Sequence, residues 1–152
     1  MAYIKRKPKK QPLFDNKVVV KKRPDLKAKL DRIFSEYIRL RDANPQGYTV
    51  CISCGKIVPW KESDCGHFIN RSHMATRFNE KNCNSQCRSC NRFDEGNIIG
   101  YTRGLIRKYG QGVIEELEIL KHQHSSLSDF DYQILIDLYT QKVNQLHEDK
   151  GI

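Results

Sequence analysis

The chain has 152 residues, 38% of them hydrophobic and 30% charged, with a formal net charge of +9. That length suits one compact unit plus an appendage, and the modest core it can bury would gain from a metal staple. No run approaches the roughly 18–20 apolar residues of a membrane span, and no apolar segment follows the basic start as a secretory signal requires, so a cytoplasmic protein without membrane contact is expected.

Residues 1–23 carry nine of the 27 Lys and Arg residues against one acid, Asp15. They read as a basic flexible tail, with Lys5, Arg6, Lys7, Lys9 and Lys10 suited to a nucleic-acid backbone. Residues 24–47 form an N-terminal helix unit. Pro24 opens the helix and it runs to about Ala43, because Leu26, Leu30, Ile33, Phe34, Tyr37 and Ile38 share one face. Asn44-Pro45-Gln46-Gly47 then supplies turn chemistry. From Tyr48 the period changes. Lys56 to Trp60 and Gly66 to Ile69 read as extended pieces, and residues 70–86 as polar and irregular. A helix is expected to begin at Asn91 and to resume after an Asn97 cap, with Ile98, Ile99, Leu105, Ile106 and Tyr109 on one face. Residues 111–152 form a C-terminal helical segment with eight acidic and three basic residues. It holds a short helix over 113–121 and a longer one from the capping box Ser128-x-x-Asp131 to about His147, whose apolar side is Leu135, Leu138, Tyr139 and Leu146.

Two C-x-x-C knuckles, Cys51/Cys54 and Cys87/Cys90, stand 32 residues apart. Four thiolates so paired can close a tetrahedral zinc site, which builds a fold and leaves no open position for chemistry. The paired spacing favours reduced thiols over three disulfides. Cys65 and Cys83 are left as ordinary small residues.

Between the knuckles lies Asp64-Cys65-Gly66-His67-Phe68. Hydrolysis of a phosphodiester needs a base, and imidazole titrates in the working range. It also needs a cation to offset charge on the phosphate and the leaving 3′-oxygen, and the amide of Asn91 is a suitable hard-cation ligand. Arg71, Arg77, Arg88, Arg92, Arg103 and Arg107 are candidates for phosphate contacts.

The stretch Cys51-Ile52-Ser53-Cys54-Gly55, then Pro59-Trp60, Gly66-His67-Phe68, Arg77-Phe78-Asn79-Glu80, Gln86-Cys87-Arg88-Ser89-Cys90-Asn91 and Gly96-Asn97 resembles the phage recombination protein NinG (Rap) family, related to the HNH endonucleases. The resemblance is close over residues 51–110 and looser over the basic start and first helix. It implies a metal-dependent, structure-specific endonuclease for branched recombination DNA such as Holliday junctions, phage or prophage encoded and at work in the host cytosol. It also implies that His67 is the general base, that Asn82 orients the catalytic strand or the His ring, and that Asn91 is a metal ligand. Most HNH enzymes place Asp or His directly before the base, where this chain has Gly66. Asp64 could supply that carboxylate only if the strand bulges, since strict alternation puts Asp64 and His67 on opposite faces.

The expected fold is therefore α+β: a zinc-stapled ββα-metal (HNH-like) core over residues 48–110, flanked by N- and C-terminal helices. The expected cofactors are a structural Zn²⁺ and a catalytic Mg²⁺ or Mn²⁺ on Asn91 and Asp64. The expected partner is branched DNA, and two symmetric cuts at a junction would favour a homodimer. The rival reading is a zinc-stapled, non-catalytic DNA-binding recombination accessory protein.

Overall fold

The computed structural model describes residues 25–152. The basic tail, with Lys5, Arg6, Lys7, Lys9 and Lys10, lies outside the described residues. Helix α1 spans Leu26–Asp42, and its cap is Asp25, whose side chain accepts from Ala28 N at 3.0 Å. Its inward face carries Leu30, Phe34, Tyr37, Ile38 and Leu40, all buried. Helices α2 (Met74–Arg77), α3 (Ile98–Tyr109), α4 (Val113–Lys121) and α5 (Asp129–Lys150) complete the helical part. The expected capping box forms at the start of α5: Asp131 N donates to Ser128 Oγ at 3.2 Å, and Ser128 N to Asp131 Oδ2 at 2.8 Å.

Helices α1 and α5 pack side by side around the main core. Phe34 stands edge-on to both Tyr139 and Phe78, with centroids 4.8 and 5.6 Å away. At the far end Lys150 Nζ donates to the carbonyls of Leu40, Arg41 and Ala43. It places a cation against the carbonyls that end α1. The buried face of α5 is Ile136, Tyr139 and Val143. Leu138, expected inside, is 41% exposed.

The strands form two antiparallel pairs. Strands β1 (Tyr48–Val50) and β2 (Ile57–Pro59) flank the first knuckle. Strands β3 (Ser63–His67) and β4 (Cys83–Cys87) pair with Ser63 opposite Cys87, Cys65 opposite Ser85 and His67 opposite Cys83. Strand β4 corrects the expectation of an irregular loop. Cys-Asn-Ser-Gln-Cys reads as polar, yet all five residues are buried. Side chains from α1 and α3 partner much of it, although Ser85 Oγ and Gln86 Oε1 are buried without a hydrogen bond. Arg41 donates to the Cys83 carbonyl at 3.0 Å and to Asn84 Oδ1 at 3.2 Å. Asp42 accepts from Ser85 N at 2.8 Å, and Lys108 donates to Asn84 Oδ1 at 2.8 Å. Tyr101, fully buried, donates to the Gly66 carbonyl at 2.8 Å.

After β4 a single π-helical turn, Ser89–Phe93, leads to a tight bend at Gly96. Asn97 then caps α3 as expected, accepting from Gly100 N at 3.1 Å. The inward face of α3 is Tyr101, Gly104 and Leu105. Ile98 and Ile99 point outward instead, Ile99 being 71% exposed. A β-carbon on Gly104 would lie 2.1 Å from the Ile52 carbonyl oxygen, so this glycine lets α3 touch the first knuckle. A second core of Ile69, Tyr101, Leu105, Val113 and Leu117 joins α3 and α4 to the end of β3. The architecture is α+β, as expected.

Candidate metal cluster and adjoining clefts

The two knuckles meet. Cys51, Cys54, Cys87 and Cys90 present four sulfurs within 4.8 Å of one another, and Cys54 Sγ lies 3.7 Å from Cys87 Sγ. A tetrahedral ion with Zn–S bonds of about 2.3 Å sets its sulfurs about 3.8 Å apart, so the cluster fits zinc. No disulfide competes, since all six cysteines are free. Burial works against charge on Cys51, yet backbone N–H groups of Cys87, Cys54 and Ser53 hold its thiol below the usual range. Burial, with the neighbouring thiols of Cys54 and Cys87 adding to it, pushes Cys90 up to about 12. A dication removes that conflict. Asn97 Nδ2 approaches Cys90 Sγ at 3.5 Å, tying the cluster to the cap of α3.

His67 ends β3, half-buried, in a cleft of about 460 Å³ lined also by Asp31, Asn70, Arg71, Asn91 and Glu95. Its Nε2 lies 3.1 Å from the Arg77 carbonyl oxygen. A carbonyl only accepts, so Nε2 carries the proton and Nδ1 keeps the lone pair. Burial holds the imidazole below its ordinary value, and the cationic side chains of Arg77 and Arg71 act in the same direction. At neutral pH the ring is thus an uncharged base.

Asn82 is fully buried. Its Oδ1 accepts from Ile69 N at 2.7 Å, and its Nδ2 donates to the carbonyls of Ile69 and Thr76 at 3.0 Å each. It clamps the backbone two residues beyond His67 and touches neither the ring nor the cleft.

The β3–β4 register is unbroken from Ser63 to His67, so the bulge that would bring Asp64 to the side of His67 does not form. Asp64 instead faces an adjoining cleft of about 590 Å³, and Asn91 lines both clefts. Asn91 Nδ2 donates to Asp64 Oδ2 at 3.0 Å. Arg92 grips the same carboxylate through two bonds of 2.7 and 2.6 Å. These donors hold Asp64 below the usual carboxylate value although burial opposes them. Asp64 and Asn91 belong to no group of three or more His, Cys or acidic donors among the described residues.

The candidate arginines separate by geometry. Arg77 is only 8% exposed, paired with Asp31 through bonds of 2.9 and 2.5 Å and donating to the Arg71 carbonyl at 2.6 Å. It locks the loop after β3 to α1, and no phosphate can reach a guanidinium so engaged. Arg71, Arg88 and Arg92 line the Asp64 cleft together with Arg39 and Lys61, two cations the sequence reading passed over. Both lie over the Trp60 ring, at 5.5 and 5.4 Å from its centroid. Lys61 follows Trp60 directly in the sequence, whereas nothing local ties Arg39, on α1, to that ring. Arg107 lines a separate cleft with Arg41 and Lys108. Arg103 is exposed and lines none of these clefts.

Fold and cluster together define a small α+β protein built round a four-cysteine, zinc-type centre with a basic cleft beside it. The sequence profile of the family described as Bacteriophage Lambda NinG protein matches residues 4–149, so the chain belongs to the NinG family. It is 35% identical over 89 residues to protein ninG of Escherichia phage lambda, covering 58% of this chain and 41% of that protein. It is 29% identical over 116 residues to protein ninG of Salmonella phage P22, covering 76% of this chain and 54% of that protein. The matched stretches thus span about half or less of these relatives' length. No solved structure is a significant match.

Proposed function

We propose that this chain is a metal-dependent endonuclease of HNH type that cuts branched DNA during phage recombination, in the host cytoplasm. The observation that carries the reading is His67. It is a neutral imidazole with its Nε2–H fixed on a carbonyl and its Nδ1 basic, in a cleft that shares Arg71 and Asn91 with the arginine-lined cleft beside it. The β3–β4 pair followed by the helical turn Ser89–Phe93 supports a ββα assignment, with the zinc cluster holding its base.

DNA phosphates would neutralise Arg39, Lys61, Arg71, Arg88 and Arg92 along the Asp64 cleft. Arg92 is exposed, with 55% of its side chain accessible, and can leave Asp64 for a phosphate. Asp64 Oδ and Asn91 Oδ1 then form a donor pair that suits Mg²⁺ or Mn²⁺, which commonly takes one or two protein oxygens plus phosphate and water. Such a cation, when bound, supplies charge stabilisation at the phosphate and the departing oxygen. His67 Nδ1 accepts the proton of a water whose oxygen bonds to phosphorus. The P–O3′ bond breaks, and the departing oxygen takes a proton from solvent water, giving a 5′-phosphate and a 3′-hydroxyl. Asn82 positions His67 by clamping Ile69. Two paired cuts at a four-way junction would require two copies of the chain.

The tie between Asp64 and Arg92, with Gly66 before the base, favours the second reading, a zinc-stapled protein that binds DNA without cutting it. A labelled four-way junction, incubated with the zinc-loaded protein with and without Mg²⁺, separates the two. Cleavage that needs Mg²⁺, and that His67→Ala abolishes while zinc content and junction binding persist, is the expected result. Binding without cleavage would establish the second reading. Cleavage by His67→Ala at the wild-type rate would overturn the role of His67.

A further inference from the structure

Cys65 and Cys83, unremarkable in the sequence, do not stay apart. His67 pairs directly with Cys83 across the β3–β4 register, and Cys65 precedes His67 by two residues on the same face of the sheet. The two sulfurs and an imidazole nitrogen lie within 4.8 Å of one another. Neither thiol has another strong partner. Cys83 Sγ makes one weak bond to the Arg77 carbonyl, at 3.5 Å, and Cys65 Sγ makes none among the described residues. Cys65 and His67 also border the cleft of about 460 Å³, which gives an ion a way in.

We propose that Cys65, His67 and Cys83 form a second metal site, distinct from the four-cysteine cluster, that takes a soft or borderline dication such as Zn²⁺ or Cd²⁺. Two thiolates and an imidazole match such ions and disfavour Mg²⁺, whose ligands are oxygens. Three protein ligands leave a fourth position open toward the cleft, unlike the closed four-sulfur cluster. The ring is already oriented for the task. A metal-bound histidine typically donates its other N–H to a carbonyl or carboxylate, and the Arg77 carbonyl accepts from Nε2 here. Nδ1 is left for the ion. The sulfurs bind as thiolates, so two protons leave as the ion enters.

The same Nδ1 is the base of the proposed hydrolysis, and in this respect the inference rests on that reading. An ion held at Cys65, His67 and Cys83 takes the lone pair that would accept the proton of water. Zinc in excess of the structural equivalent therefore switches cleavage off while leaving the fold and DNA binding in place.

The test begins with full-length protein carrying one Zn²⁺ in the four-cysteine cluster, titrated with Co²⁺ or Cd²⁺ as the probe. The expected result is one further ion per chain with sulfur-to-metal charge-transfer absorption. Cys65→Ala should weaken it by more than the roughly 10–100-fold that loss of an outer-shell partner costs. Cys65 is partly exposed, so its variant is chosen to keep the fold, and Cys83→Ala serves as the second variant. Saturation at one ion per chain would overturn the site, as would a second ion indifferent to Cys65→Ala. In the second arm, Mg²⁺-supported junction cleavage should fall as the second site fills and return with a chelator. The rate that Cys65→Ala shows without added zinc should not fall when zinc is added. Undiminished cleavage with the site full would overturn the inhibitory role. If no cleavage is found under any condition, the nuclease reading fails and the ion titration still decides the site.

Discussion

Replacing Gly66 with alanine probes how β3 is held in place next to His67. A β-carbon there would lie 2.3 Å from Gln86 Oε1 and 3.1 Å from Gln86 Cβ and Cδ. Gln86 cannot move aside without loss, because its Nε2 donates to Ser53 Oγ at 2.7 Å and to the Gly96 carbonyl at 2.6 Å. Each of those bonds contributes about 1 kcal/mol net, and overpacking of a closed site costs about 1–3 kcal/mol. The expected loss is roughly 2–4 kcal/mol, or a Tm lower by about 5–15 °C for a chain of this size. Thermal and urea unfolding of the zinc-loaded protein measures it. A cycle with Gln86→Ala isolates the contact, since Gly66→Ala should then cost far less. A loss below about 0.5 kcal/mol in the parent, or an equal loss in both backgrounds, would refute the clash. Gly66→Asp, which restores the acidic neighbour usual in HNH enzymes, meets the same carboxamide and should destabilise rather than activate.

Three further outcomes are expected. Purified protein should carry one tightly held Zn²⁺ at the four-cysteine cluster, and its removal by a chelator should unfold the β1–β2 and β3–β4 pairs, read by elemental analysis and circular dichroism. Arg77→Ala should lose roughly 2–4 kcal/mol by stranding Asp31 and the Arg71 carbonyl. Arg88→Ala should leave stability within about 0.5 kcal/mol and flatten the salt dependence of DNA affinity by about 0.9; denaturation and salt titration distinguish the two. The acid limb of cleavage should fall below the ordinary histidine value, because the folded-state pKa of His67 is lowered and only the neutral ring accepts a proton. A kcat/KM profile with its inflection at or above that value would contradict the environment described for His67.

What could be read from the sequence was local. The α1 stripe, the two knuckles, the Ser128 capping box and the Asn97 cap each depend on residues within a few positions of one another. Strand β4 could not be read this way. Its residues look like a loop, and the partners that bury them, Arg41, Asp42, Tyr101 and Lys108, sit far away on α1 and α3. Helix α5 has apolar residues on more than one side, so periodicity alone chose Leu138 over Ile136 and Val143. The candidate site divides similarly. The four cysteines of the candidate cluster announced themselves by spacing, whereas the inward turn of Arg77 depends on Asp31 of α1 and the meeting of Cys65 with Cys83 on strand pairing, both across intervening loops.

The register of β4 gives the zinc cluster a reach beyond its own knuckles. One end of the strand, Cys87, lies among the other cluster sulfurs, where a shared ion would fix it, and the opposite end, Cys83, stands across from His67. A slip of one residue would turn every β4 side chain to the wrong face. It would pull Cys87 from the cluster and push the polar strand residues off Arg41 and Tyr101. An ion bound there would therefore act as a gauge block. It would set the strand at one end, and about 14 Å away, four residues at roughly 3.4 Å each, the imidazole would be delivered to its place on the Arg77 carbonyl.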